Sequence, residues 1–358
     1  MATTAIFPGR YVQGEGALAL LPEEVERLGG KGFAIAGATA AALLGERLPA
    51  AFATAAFRGE CSDAEIDRLA GLARERQAGV IVGMGGGKAL DTAKAVGHAL
   101  GLPVVVVPTL ASTDAPCSAL SVVYTPEGAF ARYLLLPRNP DVVLVDSGIV
   151  ANAPARFLVS GMGDALATWF EAEDCRASGA ANMSGRPGGM TAFALARLCF
   201  DTLLADGPAA LAAVRERRVT PALDRIIEAN TLLSGLGFES GGLSGAHAIH
   251  NGLTVLPQTH AFRHGEKVAV GVLALLMLTG RDAAVTATAY DFCQSVGLPV
   301  CLADIGVEHP TREELLAVAR QACAPGETIH NLKGDVTPEA VCGAILAADA
   351  EGRRRKGA

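Results

Sequence analysis

An α/β half followed by an all-α half is the fold class this sequence predicts, and three observations carry it. Short β-branched runs alternate with helix-period stretches through the first part of the chain. Those runs almost vanish after Ala153-Pro154, where long amphipathic helical patterns take over. At 358 residues and 50% hydrophobic, the chain is long and apolar enough for two cores. Strand–helix alternation argues for a parallel sheet. The expected domains are therefore residues 1–153 and 154–358.

In order, the expected strands are Gly32 to Gly37, Gly79 to Gly83, Pro103 to Pro108 and Val142 to Asp146. The third is all Val between two prolines, as a strand buried on both faces would be. Between the first two lies a helix over Ser62 to Gln77, with Ser62 or Asp63 as cap and Ile66, Leu69, Ala70, Leu72 and Ala73 on one face. The second half predicts helices over 163–173, 191–205, 221–236, 267–278, 283–296, 312–322 and 338–349, interrupted by a glycine-rich loop over 179–189.

Composition narrows the function. Lys and Arg number 30 against 37 Asp and Glu, a formal charge of −7, so phosphate backbones and anionic membranes are repelled. Aromatics at 5% are too few for base stacking. No nucleic-acid or membrane partner is expected. The longest apolar run, Val268 to Thr279, is well short of the ~20 residues a membrane span needs. Cysteines at 61, 117, 175, 199, 293, 301, 323 and 342 form no close clip, which disfavours zinc-ribbon and iron–sulfur sites and suits a reduced, cytoplasmic protein. No basic segment followed by an apolar stretch opens the sequence, so no secretory signal is expected.

Two loops carry the chemistry of the first half. In Val82-Gly-Met-Gly-Gly-Gly-Lys-Ala-Leu-Asp-Thr-Ala-Lys-Ala95 a strand enters, glycines turn and a helix begins near Lys88. Glycines let a backbone approach a pyrophosphate, and a helix start offers unpaired N–H groups and a positive dipole end. The spacing is neither the Rossmann G-x-G-x-x-G, which would need glycine at Lys88, nor a Walker A loop. A tight turn without ligand is the plainer alternative. The second loop, Pro108 to Ser121, leaves the all-Val strand at its carboxyl end, where open α/β sheets bind ligands. It carries Thr109, Ser112, Thr113, Ser118 and Asp114, a set that also makes ordinary hydroxyl turns.

The second half concentrates metal-ligand chemistry. Asp164 is expected at a helix start, ahead of an apolar face; His247 and His250 are spaced i, i+3; His260 and His264 are spaced i, i+4. Four of the seven histidines fall within eighteen residues. A lone helical histidine is usually structural, and composition leaves open which of the four would be ligands. H-E-x-x-H is absent. One carboxylate with two imidazoles leaves coordination positions open, as a catalytic site requires.

These segments, with Gly163 to Ala172, Gly237 to Leu243, His264-Gly-Glu-Lys-Val-Ala269 and Gly326 to Asn331, make the sequence resemble, over essentially its whole length, the zinc-dependent glycerol dehydrogenase branch of the iron-containing alcohol dehydrogenase family. The resemblance implies a Rossmann-like dinucleotide-binding domain and an all-α domain in a dehydroquinate synthase-like fold, with the active site in the cleft between them. It implies zinc ligands at Asp164, His247 and His264, with His250 and His260 near the metal. NAD is implied at Gly85, Gly86, Gly87, Lys88, Ala89, Leu90 and Asp91, and at Thr109, Leu110, Ala111, Ser112, Ser118, Leu120 and Tyr124. Asp114 matches the residue that holds a substrate hydroxyl, and His250 is a candidate for moving the alcohol proton. The implied substrate is glycerol or a related vicinal diol, converted to the ketone (dihydroxyacetone from glycerol) by zinc-assisted alkoxide formation and hydride transfer. Relatives are commonly homo-oligomers, often octamers.

Two departures stand out. Gly37 occupies the strand end where the family usually has an aspartate on the adenosine ribose; a carboxylate there repels a 2′-phosphate, so its loss weakens discrimination against NADP. No arginine stands beside Gly37, which keeps NAD the expected coenzyme. Ser244-Gly245 precedes His247 where relatives tend to have alanine, a packing change only. The rival readings are another diol dehydrogenase of the family, a dehydroquinate synthase-like lyase and a non-catalytic dinucleotide sensor. The lyase would need several basic residues beside the metal, where the sequence offers Arg263 and Lys267; the sensor would not need Asp164, His247 and His264 together.

Overall fold

The computed structural model describes residues 2–44 and 52–357. In chain order its elements are β1 (Tyr11–Gly14), α1 (Leu21–Arg27), β2 (Gly32–Ala36), α2 (Ala38–Leu44), β3 (Ala53–Ala56), α3 (Asp63–Glu75), β4 (Val80–Gly85), α4 (Gly87–Leu100), β5 (Val104–Pro108), the hairpin β6 (Leu120–Tyr124) and β7 (Phe130–Leu135), β8 (Val142–Asp146) and α5 (Ser147–Ala151). Helices follow: α6 (Ala155–Ser178), α7 (Met190–Arg215), α8 (Pro221–Glu228), a π-turn over Ala229–Leu233, α9 (Ser234–Gly241), α10 (Gly245–Leu253), α11 (His264–Leu278), α12 (Ala283–Val296), α13 (Arg312–Ala322) and α14 (Pro338–Lys356).

Six strands form one parallel sheet in the order β1-β8-β5-β4-β2-β3. The predicted central strands β2, β4, β5 and β8 are there, each buried on both faces. Alternate residues feed two cores. Ala34, Val82, Met84, Val105 and Leu144 pack with Leu21 and Val25 of α1 and Ala40 of α2 on one face. Phe33, Ile35 and Ile81 pack with Ile66, Leu69 and Ala73 of α3 and Val96 of α4 on the other. Ser62 caps α3 as expected, accepting the Glu65 N–H. The chain leaves β2 towards β3 but leaves β4 towards β5, so the strand order reverses between β2 and β4. Open α/β sheets bind ligands outside the carboxyl ends of strands at such a reversal.

The chain divides into two compact units, each described by itself. The α/β unit comprises Ile6–Ala155 together with Ala212–Gly235; the helical unit comprises the amino-terminal residues through Ala5, Arg156–Leu211 and the chain from Leu236 onward. The return of 212–235 to the α/β unit has a visible cause. Gln13 Nε2 donates to the Asp224 carbonyl (2.8 Å), Tyr11 Oη meets Thr231 Oγ1 (2.8 Å), and Asn230 Nδ2 donates to the Ala111 carbonyl (3.0 Å). In the helical unit α10 packs against both α11 and α13; a side chain at Gly271 or Gly252 would collide with the backbone of Ala246 or Val318. No described helix is long and apolar enough to cross a membrane.

Candidate active site

At the strand reversal, β4 ends in Gly85, whose φ of +143° suits glycine alone, and α4 begins behind Gly86, an N-cap that contributes no side chain. The glycines here answer different needs. A methyl group at Gly83 would collide with Ala93, so that glycine serves packing. A methyl group at Gly87 would touch nothing closer than 4.0 Å, so packing does not require it; the bare backbone leaves room for an anionic ligand at the helix start. Lys88 lies at this start. Its ammonium reaches both oxygens of Glu60 (2.7 and 2.6 Å) and sits 4.6 Å above the Tyr124 ring. Burial pushes the Tyr124 phenol up to about 12.

The other residues expected around a dinucleotide divide into rim and scaffold. Thr109 donates its N–H to the Gly85 carbonyl (3.0 Å), which joins the second loop to the first; Leu110 approaches Gly86, and Ala111 and Ser112 continue that loop. Ala89 and Leu90 are buried in the first turn of α4. Asp91 points inward: its carboxylate pairs with Lys94 (2.9 Å) and accepts the Val122 N–H (3.1 Å). Lys94, also buried, donates to the carbonyls of Ala115 (2.9 Å), Ser118 (3.3 Å) and Leu120. Asp114 is buried beside the π-turn, and its Oδ2 accepts from Ser234 Oγ (2.9 Å).

The helical unit holds the metal-ligand chemistry. Asp164, fully buried on α6, His247 on α10 and His264 at the start of α11 bring one ligand atom each to within 4.8 Å of one another. His247 Nε2 lies 3.3 Å and His264 Nε2 3.1 Å from the same oxygen, Asp164 Oδ1. One carboxylate oxygen and two imidazole nitrogens are a donor set that zinc and other borderline divalent cations accept. The donor set therefore fits a metal ion. His250 packs edge-on to His264 with centroids 4.3 Å apart, outside the candidate triad; His260 instead bonds the Thr254 carbonyl from an exposed position.

Electrostatics match the geometry. Burial pushes the Asp164 carboxyl up, but the charge of His264 and hydrogen bonds from both imidazoles outweigh it and hold the group far below the usual range. Burial would lower His247, yet the Glu171 charge and the Asp164 bond lift it well above an ordinary histidine. A proton and a cation compete for the same nitrogen there. Burial, then His264 and Lys267, push His250 well below its ordinary value, so its ring is neutral near pH 7.

Sequence reading missed one participant. Glu171, seven residues after Asp164 and therefore on the same face of α6, places Oε2 2.6 Å from His247 Nδ1. The i, i+7 spacing was the available signal. The start of α11 is fixed in parallel: Glu266 accepts the Arg263 N–H (2.8 Å) and a two-pronged bond from Arg156 (2.5 and 2.7 Å), which seats His264.

Comparison with known proteins agrees with this construction. Residues 8–147 match the model of the family described as iron-containing alcohol dehydrogenase. The chain is 60% identical to a glycerol dehydrogenase of Thermotoga maritima, over 99% of each chain, and 52% identical to one of Pseudomonas putida, over 97% of each. The crystal structure of a probable glycerol dehydrogenase from Sinorhizobium meliloti superposes with a TM-score of 0.94 at 46% identity, covering 99% of this chain and 100% of that one. Fold, site and these likenesses together define an oxidoreductase. The chain belongs to the iron-containing alcohol dehydrogenase family, and groups within it with the glycerol dehydrogenases.

Proposed function

We propose that the protein oxidises glycerol and related vicinal diols with NAD, yielding dihydroxyacetone from glycerol, and that Asp164, His247 and His264 hold the zinc ion this requires. The observation that carries the reading is a buried carboxylate and two imidazoles converging within 4.8 Å in a chain 60% identical, end to end, to a glycerol dehydrogenase. A divalent cation in that donor set supplies Lewis-acid polarisation, lowering the pKa of a substrate hydroxyl. The chain's own residues do the rest. The uncapped start of α4 at Gly86, Gly87 and Lys88 takes the coenzyme pyrophosphate, and the Thr109–Ser112 loop lines the same strand ends. Ser234 steadies Asp114, which accepts a hydrogen bond from a substrate hydroxyl and so orients the reacting carbon. His250, neutral and buried beside His264, takes up the alcohol proton.

NAD is favoured over NADP although Gly37 offers no carboxylate to reject a 2′-phosphate. Eight free cysteines, seven of them buried, suit a cytoplasmic protein, and a homo-oligomer, an octamer in form, is part of the proposal. The test is spectrophotometric: coenzyme reduction by glycerol, 1,2-propanediol and 2,3-butanediol, with zinc, using NAD and NADP in parallel. His264→Ala is expected to fold, to lose zinc and to lose turnover. Failure of the zinc-loaded protein to reduce either coenzyme with any polyol overturns the reading. Light scattering gives the subunit count.

A further inference from the structure

We propose that Glu171 is a positioning residue that fixes the tautomer of His247, so that the neutral ring keeps its proton on Nδ1 and leaves Nε2 unprotonated for a metal ion. The inference rests on the metal reading of the Asp164–His247–His264 cluster and assigns a function to a residue outside it.

Three contacts define the arrangement. Glu171 is completely buried. Its Oε2 lies 2.6 Å from His247 Nδ1, and its Oε1 accepts the N–H groups of Ser244 (2.9 Å) and His247 (3.0 Å). A carboxylate only accepts hydrogen bonds. Nδ1 must therefore carry a proton; without a cation Nε2 also donates to Asp164 Oδ1, 3.3 Å away, and of the two contacts the shorter one to Glu171 keeps its proton when the other is lost, which frees the Nε2 lone pair for a metal ion. The same carboxylate does a second job. Ser244, the N-cap of α10, makes no side-chain capping bond, so Glu171, reaching over from α6, satisfies the donors at that helix start. Ser244 Oγ is in turn held by Asp174 (3.0 Å), and its carbonyl by Thr328 Oγ1 (2.6 Å), so the cap cannot drift away from the ring it accompanies.

The two jobs separate under one substitution. In Glu171→Gln the amide oxygen can keep both backbone N–H bonds, which leaves the NH2 group facing Nδ1. An amide NH2 donates, so Nδ1 becomes the acceptor and the proton moves to Nε2, the atom the metal needs. The helix cap survives while the ligand is turned off. Partners of this kind on metal-binding histidines typically change metal affinity 10–100-fold.

Zinc is the probe, with affinity read by chelator competition and stability by thermal unfolding. For Glu171→Gln the expectation is a zinc affinity roughly 10–100-fold weaker than wild type with little change in unfolding temperature. Glu171→Ala loses both. The independent measurement is the 15N spectrum of histidine-labelled protein, with zinc and, metal-free, at alkaline pH where the ring is neutral. His247 is expected to show Nδ1–H in the wild type and Nε2–H in the glutamine variant. If wild type binds no zinc, the metal reading fails, and the metal-free spectrum still decides the tautomer. If wild type binds zinc and Glu171→Gln binds it equally well, or if wild-type His247 carries its proton on Nε2, the positioning role is overturned. If the glutamine variant does not fold, the wild-type spectrum alone decides.

Discussion

Gly163 on α6 and Gly265 on α11 meet backbone to backbone: a methyl group on Gly163 would collide with the Gly265 carbonyl, and one on Gly265 with the Ser160 carbonyl. The next residue after Gly163 is Asp164, and the one before Gly265 is His264. The helix crossing therefore sets the distance between two of the three candidate ligands. Closeness here is a property of two missing side chains.

Gly265→Ala tests this. The obstacle is backbone, which cannot rotate aside, so the expected loss is at the upper end of overpacking costs, about 3 kcal/mol. Zinc affinity is expected to fall with it, because α11 must move away from Asp164. Gly71, inside α3 with nothing near its would-be methyl, is the control; Gly71→Ala is expected to gain up to about 1 kcal/mol from helix propensity. Urea unfolding of both variants reads the difference. Equal stabilities would mean that the crossing is looser than the contacts indicate.

Much of this was legible in the sequence, for identifiable reasons. The all-Val run of β5 and the β-branched runs of β2, β4 and β8 are strands buried on both faces, and such strands announce themselves by composition. Strands β1 and β3, at the sheet edges, did not, because Tyr-Val-Gln-Gly and Ala-Thr-Ala-Ala carry little β-branched signal. Helices α6 and α7 run well past the predicted 163–173 and 191–205: α6 continues through the exposed turn Arg176-Ala-Ser178, which carries no apolar periodicity, and α7 through Pro208, which reads as a helix end. The candidate ligands were visible as a cluster of histidines and an acid, and the family resemblance, not the motifs alone, singled out Asp164, His247 and His264. Glu171 was hidden because its i, i+7 spacing puts it on the Asp164 face of the helix but does not say that a histidine from another helix meets it there. Asp91 is the converse: the motif suggests a surface contact, and Lys94, three residues on, turns its carboxylate into the interior.

That interior pair makes the second prediction. Lys94 ties α4 to the carbonyls of Ala115, Ser118 and Leu120, in the second half of the second loop, and neutralises buried Asp91. Lys94→Met keeps the side-chain volume but leaves Asp91 as an unpaired buried charge, a loss of about 3–5 kcal/mol. Asp91→Asn in the same chain should recover part of it, because the charge goes while the Val122 N–H keeps its acceptor. Unfolding of the single and double variants measures the recovery, and KM for the coenzyme is expected to rise in the single variant as the 115–120 segment loosens. A single variant as stable as wild type would show that the ammonium contributes nothing.

The third prediction concerns pH. Asp174, buried beside Ser244 at the helix cap, has its carboxyl pushed up from 3.8 to about 6, chiefly by burial and against the pull of Arg281. An acid whose folded value lies above its unfolded value binds its proton more tightly in the native state. Between about pH 4 and pH 6 the native chain then holds the proton that the unfolded chain has released, so stability from this group falls as pH rises through that window and is level above it. A rise of roughly two units corresponds to about 3 kcal/mol. Asp174→Asn removes the titration while keeping the shape and a donor–acceptor pair for Ser244. The stability of wild type relative to this variant is therefore expected to drop by up to about 3 kcal/mol from pH 4 to pH 7, read by urea unfolding at each pH. Parallel curves for the two proteins would mean that Arg281, bonded to Asp174 at 2.6 Å, cancels the burial, and the carboxylate would then be ionised throughout the range in which the protein is folded.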